Sequence, residues 1–215
     1  MNIEVIKANH IIKWFIEAAK SMNANKEYLT QLDSDIGDAD HGFNMVRGFN
    51  KVYNRTNEFL LQENLGILTK DIAMTLLSSI GGAAGPLYGS FFLEFSKKLD
   101  KKTTLNLSEF SEVFELGTIA VEHRGNATFG DKTLIDVLVP ASEALKKAVK
   151  NKKTLVEGIN LMAKEAELGM NATIPLIAKK GRASYLGVRS VGYKDPGAAS
   201  CYFLLLALKE TMTQL

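Results

Sequence analysis

The sequence predicts an all-α protein, one domain over residues 1–215 built of about eight amphipathic helices joined mostly by short loops. Three observations predict it. Apolar residues recur at helical spacing along nearly the whole chain, no stretch alternates in the manner of a strand bounded by hairpin turns, and proline is scarce, with four in the chain. Most glycines gather in four places between the helical patterns, where turns are needed.

The first stripe is Val5, Ala8, Ile12, Phe15, Ile16 and Ala19. Segments 44–57, 69–80 and 87–98 repeat the pattern. Val113, Leu116, Ile119, Ala120 and Val121 make another stripe, followed by Leu134, Val137, Leu138, Ala141, Leu145 and Val149. Segment 155–179 reads as one helix, and 198–212 is apolar on nearly every side, as a buried helix would be. Pro140 and Pro175 fall inside these patterns and predict kinks, while Pro86 and Pro196 sit in glycine-rich turns. The one polar break of any length, "DKKTTLNL" at 100–107, offers an alternative division into two small bundles.

Bulk composition narrows the function. At 46% hydrophobic the chain can build a sizeable core, and a net charge of +2 argues against nucleic acid or a membrane surface as partner. A single cysteine, Cys201 in an apolar run, excludes a disulfide framework and suits a reducing compartment. The N-terminal segment lacks the unbroken apolar region of a signal peptide, and the longest apolar stretch, 201–208, is far short of the roughly 20 residues of a membrane helix. The expectation is a soluble cytoplasmic protein.

The chemistry lies in the turns. "LDSDIGDADHGFN" (32–44) packs Asp33, Asp35, Asp38 and Asp40 into eight positions, a density that requires something positive among them. On a helix Asp33 and Asp40 would share a face with Asp38 well round from both, and Gly37 argues that the stretch is irregular. An irregular loop can converge three carboxylates on one point, a hard-oxygen set suited to Mg²⁺ or Ca²⁺. An EF-hand fits poorly, because its fifth position would be Gly37 and its twelfth Asn44. A phospho-aspartyl nucleophile lacks the strand that should precede it, and solvated Asx-turns are the bland alternative.

Magnesium with few protein ligands completes its shell with water and phosphate oxygens, so a phosphate cradle should lie elsewhere. "SSIGGAAGPLYG" (78–89) is the candidate: small residues ahead of a helix start leave N–H groups open to an anion. "RGNATFGDKTLIDVL" (124–138) starts a helix with Asp131 or Thr133 as the natural N-cap. In it Lys132 either meets a phosphate or faces water, the second being favoured, and Leu134 packs on an adenine ring or on its own neighbours. "KKGRASYLGVRSVGYKDPGAAS" (179–200) carries five basic residues, and Arg182 and Arg189 can offer charge-assisted bonds to phosphate or pair with an acid such as Asp195.

Taken together, "LDSDIGDADHGFNM", "GGAAGPLYG", "GDKTLID" and "KGRASYLGVRSVGYKDPGA", in that order, resemble the nucleotide-binding L subunits of bacterial dihydroxyacetone kinases over essentially the whole chain. The resemblance implies an antiparallel up-and-down barrel of eight helices, with ADP or ATP and two Mg²⁺ ions held by the loops at one end. It implies Asp33, Asp38 and Asp40 as metal ligands, leaving out Asp35. It sets His41, Gly42, Phe43 and Asn44 beside the phosphates with Gly82 and Ala83, and places Gly125, Leu134, Arg182 and the turn Asp195, Pro196 and Gly197 around the rest of the nucleotide. Ala84 stands where the family often has Ser, and Tyr193 where His is common.

Three carboxylates and ADP bring a charge of about −6 and two Mg²⁺ bring +4, a residue that Arg182 and helix N-termini reduce. Catalysis would then be positioning and charge neutralisation, with no covalent catalytic residue from the protein. The implied partners are a dihydroxyacetone-binding K subunit and a phosphoryl-carrier M subunit of the phosphotransferase system, which recharges resident ADP; a homodimer is compatible with the resemblance. Two other functions stay open here: an ATP-exchanging kinase domain for another small substrate, and a nucleotide-sensing module on a regulator.

Overall fold

The structure is a computed structural model that describes residues 3–213; the two terminal residues at each end of the expected 1–215 span lie outside the described residues. The apolar stripes become α1 (Ala8–Ala24), α2 (Lys26–Ile36), α3 (His41–Tyr53), the short α4 (Thr56–Phe59), α5 (Leu65–Ser79), α6 (Ala84–Lys98), α7 (Leu107–Gly125), α8 (Ile135–Lys150), α9 (Leu155–Ala172) and α10 (Pro196–Thr213). A 3₁₀ run, Arg182–Ser190, lies between α9 and α10. The helix count exceeds the eight expected because α2, which follows α1 after Asn25 alone, α4 and the 3₁₀ run are extra. Among the described residues there is no strand, only an isolated bridge between Ile6 and Leu105.

Each long helix packs against the next, from α1 and α2 through α3, α5, α6, α7, α8 and α9 to α10, which returns against α1. The helices therefore form a closed, up-and-down ring. Its interior is aromatic and aliphatic: Phe15 stacks on Phe49 at 6.0 Å and meets Phe92 edge-on at 5.1 Å, and Trp14 donates its indole N–H to the Leu204 carbonyl at 2.8 Å. Leu204, Leu205, Ala207 and Leu208 are all buried, which explains why α10 is apolar on nearly every side. The 100–107 connection does not part the molecule, because α6 and α7 pack directly against each other and Leu105 pairs with Ile6.

Two expectations about proline separate. Pro140 does lie inside α8, where it cannot donate to the Asp136 carbonyl; a Cβ on Gly169 of α9 would lie 2.1 Å from that oxygen, so the two helices meet closely there. Pro175 is not in a helix. The expected 155–179 helix stops at Ala172, since the residues ahead of a proline avoid helical angles.

Alternate connections gather at one end of the ring: residues 37–40, 81–83, 126–134 and 173–195. The two ends start their helices differently. At the far end α5, α7 and α9 carry side-chain caps from Asn64, Asn106 and Thr154, the last two as reciprocal boxes with Glu109 and Glu157. At the glycine-rich end α3, α6 and α8 have no cap from their own N-cap side chain. Other side chains take first-turn N–H groups of α3 and α8, while those of α6 are available to something else.

Candidate functional site

The acidic segment is more regular than its sequence suggests. Asp33 and Asp35 belong to the last turns of α2, and only 37–40 is irregular; Gly37 ends the helix rather than interrupting it. A Cβ on Gly37 would lie 2.1 Å from Asp33 Oδ1, so only glycine lets the chain turn this tightly beside the carboxylate. Ala39 then takes φ 61°, a left-handed conformation rare outside glycine, and sets Asp38 and Asp40 on either side of the turn. The outcome is a cluster in which carboxylate oxygens of Asp33, Asp38 and Asp40 lie within 4.8 Å of one another. Asp35 is apart, accepting from Gln31 Nε2 at 2.9 Å.

The three acids differ. Buried Asp33 accepts from the N–H groups of Asp40 (2.8 Å) and His41 (3.1 Å), capping α3 from a neighbouring helix and locking its own carboxylate in place. Asp38 and Asp40 are exposed. Asp38 Oδ2 lies 2.9 Å from Arg182 Nη2, the guanidinium being the one cationic side chain paired with the cluster among the described residues. Behind it, His41 Nε2 is 2.9 Å from Ser200 Oγ, which also lies 3.1 Å from the Tyr88 hydroxyl. Burial holds the imidazole below its ordinary pKa against the pull of Asp33 and Asp40.

The glycine loop lies on α3. A Cβ on Gly81 would sit 2.3 Å from Asn44 Oδ1, and Arg47 ties the two together through Asn44 Oδ1 (2.9 Å) and the Ser79 carbonyl (2.8 Å). Gly82 takes φ 63° with nothing within 4 Å of where a Cβ would be, so the loop presents bare backbone ahead of uncapped α6.

The 126–134 connection corrects two expectations. The N-cap position of α8 is Leu134; Asp131 accepts instead from the Thr128 N–H at 2.9 Å and pairs with Lys179 at 3.2 Å. Thr133 does accept from Ile135 N–H at 3.1 Å, while buried Asp136 takes the N–H groups of Gly130 (2.6 Å) and Thr133 (2.7 Å), and burial raises its pKa. Lys132 lines the cleft but does not face water, although the sequence favoured that. It is 1% exposed, and its ammonium donates to backbone carbonyls of the 173–193 segment, including Thr173 (2.9 Å), Ser190 (2.7 Å) and Tyr193 (2.6 Å).

These connections enclose one cleft of about 550 Å³. Of the residues proposed from sequence, Asp33, Asp38, Asp40, His41, Asn44, Gly82, Ala83, Gly125, Leu134, Arg182, Asp195, Pro196 and Gly197 line it. Gly42 and Phe43 do not. Gly42 is pressed against α2, where a Cβ would lie 2.2 Å from the Lys26 carbonyl, and Phe43 is exposed with Lys26 Nζ 3.9 Å from its ring centre. Ala84 lines the cleft at the start of α6; Tyr193 does not, and contributes its carbonyl to Lys132. Arg189 makes no ion pair among the described residues and is not on the cleft.

Sequence reasoning missed Tyr88, Arg124 and Lys180, which also line the cleft, and Ser200, which links Tyr88 to His41. Their sequence neighbourhoods look like ordinary helix or loop; only the order of glycine turns hinted at them. Besides the acidic cluster, the lining includes the apolar side chains of Leu87, Val121 and Leu134. Asp195 caps α10 by accepting from Ala198 N–H at 2.7 Å, and burial pushes its carboxyl up to about 7.

Comparison with known proteins agrees over most of the chain. The DAK2 domain matches residues 35–210. The ADP-binding subunit DhaL of the PEP-dependent dihydroxyacetone kinase of Escherichia coli (strain K12) is 40% identical over 209 residues, covering 95% of this chain and 99% of that protein. The ADP-binding subunit DhaL of PEP-dependent dihydroxyacetone kinase 2 of Listeria innocua serovar 6a is 42% identical over 188 residues, or 87% of each chain. Among solved structures, the dihydroxyacetone kinase of C. freundii superposes with a TM-score of 0.72 at 25% identity, over 93% of this chain and 34% of that one. The same enzyme in complex with AMP-PNP and Mg²⁺ gives 0.71 at 24% identity, over 94% of this chain. The chain thus spans about a third of the C. freundii enzyme, but nearly the full length of the E. coli subunit.

Proposed function

The chain belongs to the DAK2 domain family, and on that footing we propose that it is the ADP-binding subunit of a dihydroxyacetone kinase that depends on PEP and the phosphotransferase system. In this reading residues 1–215 are a single nucleotide-binding domain, a cytoplasmic phosphotransferase subunit. The observation that carries it is the convergence of Asp33, Asp38 and Asp40 within 4.8 Å on the same cleft as the bare Gly82 loop. A hard-oxygen set with one buried, hydrogen-bonded member and two exposed ones suits Mg²⁺ that keeps positions for phosphate oxygens. Asp33, Asp38 and Asp40 would hold Mg²⁺ here, and the ions, two in this reading, would supply charge neutralisation for phosphoryl transfer.

The chain's own residues then do four things. Asp33, fixed by two N–H groups, presents a preorganised carboxylate, and the left-handed turn at Ala39 aims its two neighbours. The start of α6 offers N–H groups to the phosphates at the positive end of a helix. Leu87, Val121 and Leu134, with Gly125, Pro196 and Gly197, give the base an apolar slot. Arg182 neutralises whichever anion is nearest, Asp38 in the free protein and phosphate when nucleotide is held.

No side chain on the cleft is needed as a covalent nucleophile, so the nucleotide acts as a coenzyme. A K subunit holds dihydroxyacetone, and a carrier M subunit restores ATP from ADP. The first test is to denature freshly purified protein and identify what it releases. Near-stoichiometric ADP supports a resident coenzyme. An empty protein that binds ATP with Mg²⁺ points to an exchanging kinase domain, and one that binds neither nucleotide overturns the proposal.

A further inference from the structure

A 23-residue segment without an α-helix, 173–195, supplies Arg182 and leads into the Asp195–Pro196–Gly197 turn. Its apolar packing is small, a cluster of Ala178, Ala183 and Leu186 on Ile36. Its neck is closed from outside. Lys132 Nζ lies within hydrogen-bonding distance of five backbone carbonyls: Thr173 (2.9 Å), Ile174 (3.4 Å) and Leu176 (3.2 Å) on the inbound leg, Ser190 (2.7 Å) and Tyr193 (2.6 Å) on the outbound leg. No carboxylate is bonded to it among the described residues. An ammonium caged by neutral oxygens is held as a bare monovalent cation would be, and its N–H groups draw carbonyls from both legs to one point. The backbone is arranged for this: Lys132 takes φ 61° in a turn braced by both oxygens of Asp136. Two bonds between the legs, Gly192 N–H to Ile174 O at 2.9 Å and Ala178 N–H to Ser190 Oγ at 2.9 Å, depend on the legs staying together.

We propose that Lys132 is a positioning residue for the nucleotide site: a built-in cation that ties the neck of the 173–195 segment and so sets Arg182 and the Asp195–Gly197 turn on the cleft. The nucleotide arm of this inference rests on the function proposed above; the loop arm does not.

The test uses the full chain with Lys132→Ala, which leaves a cavity complementary to propylammonium. In the nucleotide-free variant, hydrogen exchange at the Ala178 and Gly192 amides is expected to accelerate at least about a hundredfold, as a locally opened segment does. Affinity for Mg-ADP falls at least about tenfold, the cost of losing charge-assisted bonds. Added propylammonium restores both, and 1-propanol restores neither. Unchanged exchange, or equal rescue by the alcohol, overturns the proposal, the latter because volume alone would then suffice. Should the variant not fold, wild-type protein decides: under reductive methylation Lys132 reacts last of the lysines, at the rate at which the Gly192 amide exchanges. Reaction along with the surface lysines overturns it. If wild-type protein binds no Mg-ADP, the nucleotide reading fails while the exchange and labelling results still judge the loop claim.

Discussion

At the acidic turn three carboxylates share a space of 4.8 Å, two of them exposed, with the Arg182 guanidinium as their cationic partner. At Lys132, on the same cleft, one ammonium is almost wholly buried and surrounded by five carbonyls. Both are charged groups in glycine-rich turns. The first is left electrostatically incomplete, which costs self-repulsion in the free protein and is relieved when a cation arrives. The second is complete without any ligand, because an unpaired buried ammonium would be too costly to keep. Incompleteness marks the place that binds; saturation marks the scaffold that holds the binding place in shape.

That contrast can be broken by substitution. The largest effect is expected from Asp38→Asn, which removes charge from the incomplete cluster while leaving its shape. Metal-dependent nucleotide binding should fall by more than about a hundredfold, about 2.7 kcal/mol, in calorimetry with and without chelator. Retention of the wild-type magnesium dependence would break the metal assignment.

Asp33 sharpens the comparison, since it works on both sides of it. Asp33→Ala should destabilise even the metal-free chain by about 1–2 kcal/mol in denaturant melts, because it uncaps α3. Asp38→Ala, which loses only a partly exposed pair to Arg182, should cost a few tenths of that scale. Equal losses would show that the cluster is scaffold throughout.

Arg182→Ala should weaken nucleotide retention about tenfold with the apo melting temperature unchanged, and free Mg²⁺ should bind the variant somewhat better, its competitor for Asp38 being gone. A matching loss of apo stability would contradict this.

The last effect is a slope. Burial raises the Asp195 carboxyl to about 7 from an ordinary 3.8, so below pH 7 the native chain holds a proton that the unfolded chain has released. Stability contributed by this group therefore falls as pH rises from about 4 and levels off above about 7, roughly 1 kcal/mol of it between pH 6 and 8. Asp195→Asn, which can still accept from Ala198 N–H, should flatten that part of a melting-temperature series. A series parallel to wild type would remove Asp195 from the account.

Much of this was legible in the chain. Apolar periodicity located every long helix except α2, and the four glycine clusters are the four connections that surround the cleft. What could not be read depends on what lies opposite a residue. Asp33 looked like part of an irregular loop because Gly37 follows it closely, yet Gly37 is a helix end. Lys132 looked like a solvated or phosphate-facing lysine because its cage is assembled from residues 41 to 61 positions downstream. Pro175 looked helical because the apolar stripe runs past it, although its missing N–H and its ring end the helix beforehand. Gly42 and Phe43 sit next to His41 in sequence but turn toward α2, since successive residues on a helix point about 100° apart.

The sequence by itself determined the helical class, the places where the ring turns, and the residue types gathered at those turns, because periodicity, glycine freedom and like-charge repulsion act over a few residues. Only the tertiary structure decided which charge is left waiting and which is satisfied. Closing the ring brings residues far apart in the chain within hydrogen-bonding distance, and the balance between a carboxylate that keeps its charge exposed and an ammonium that surrenders it to carbonyls exists only once those neighbours are in place.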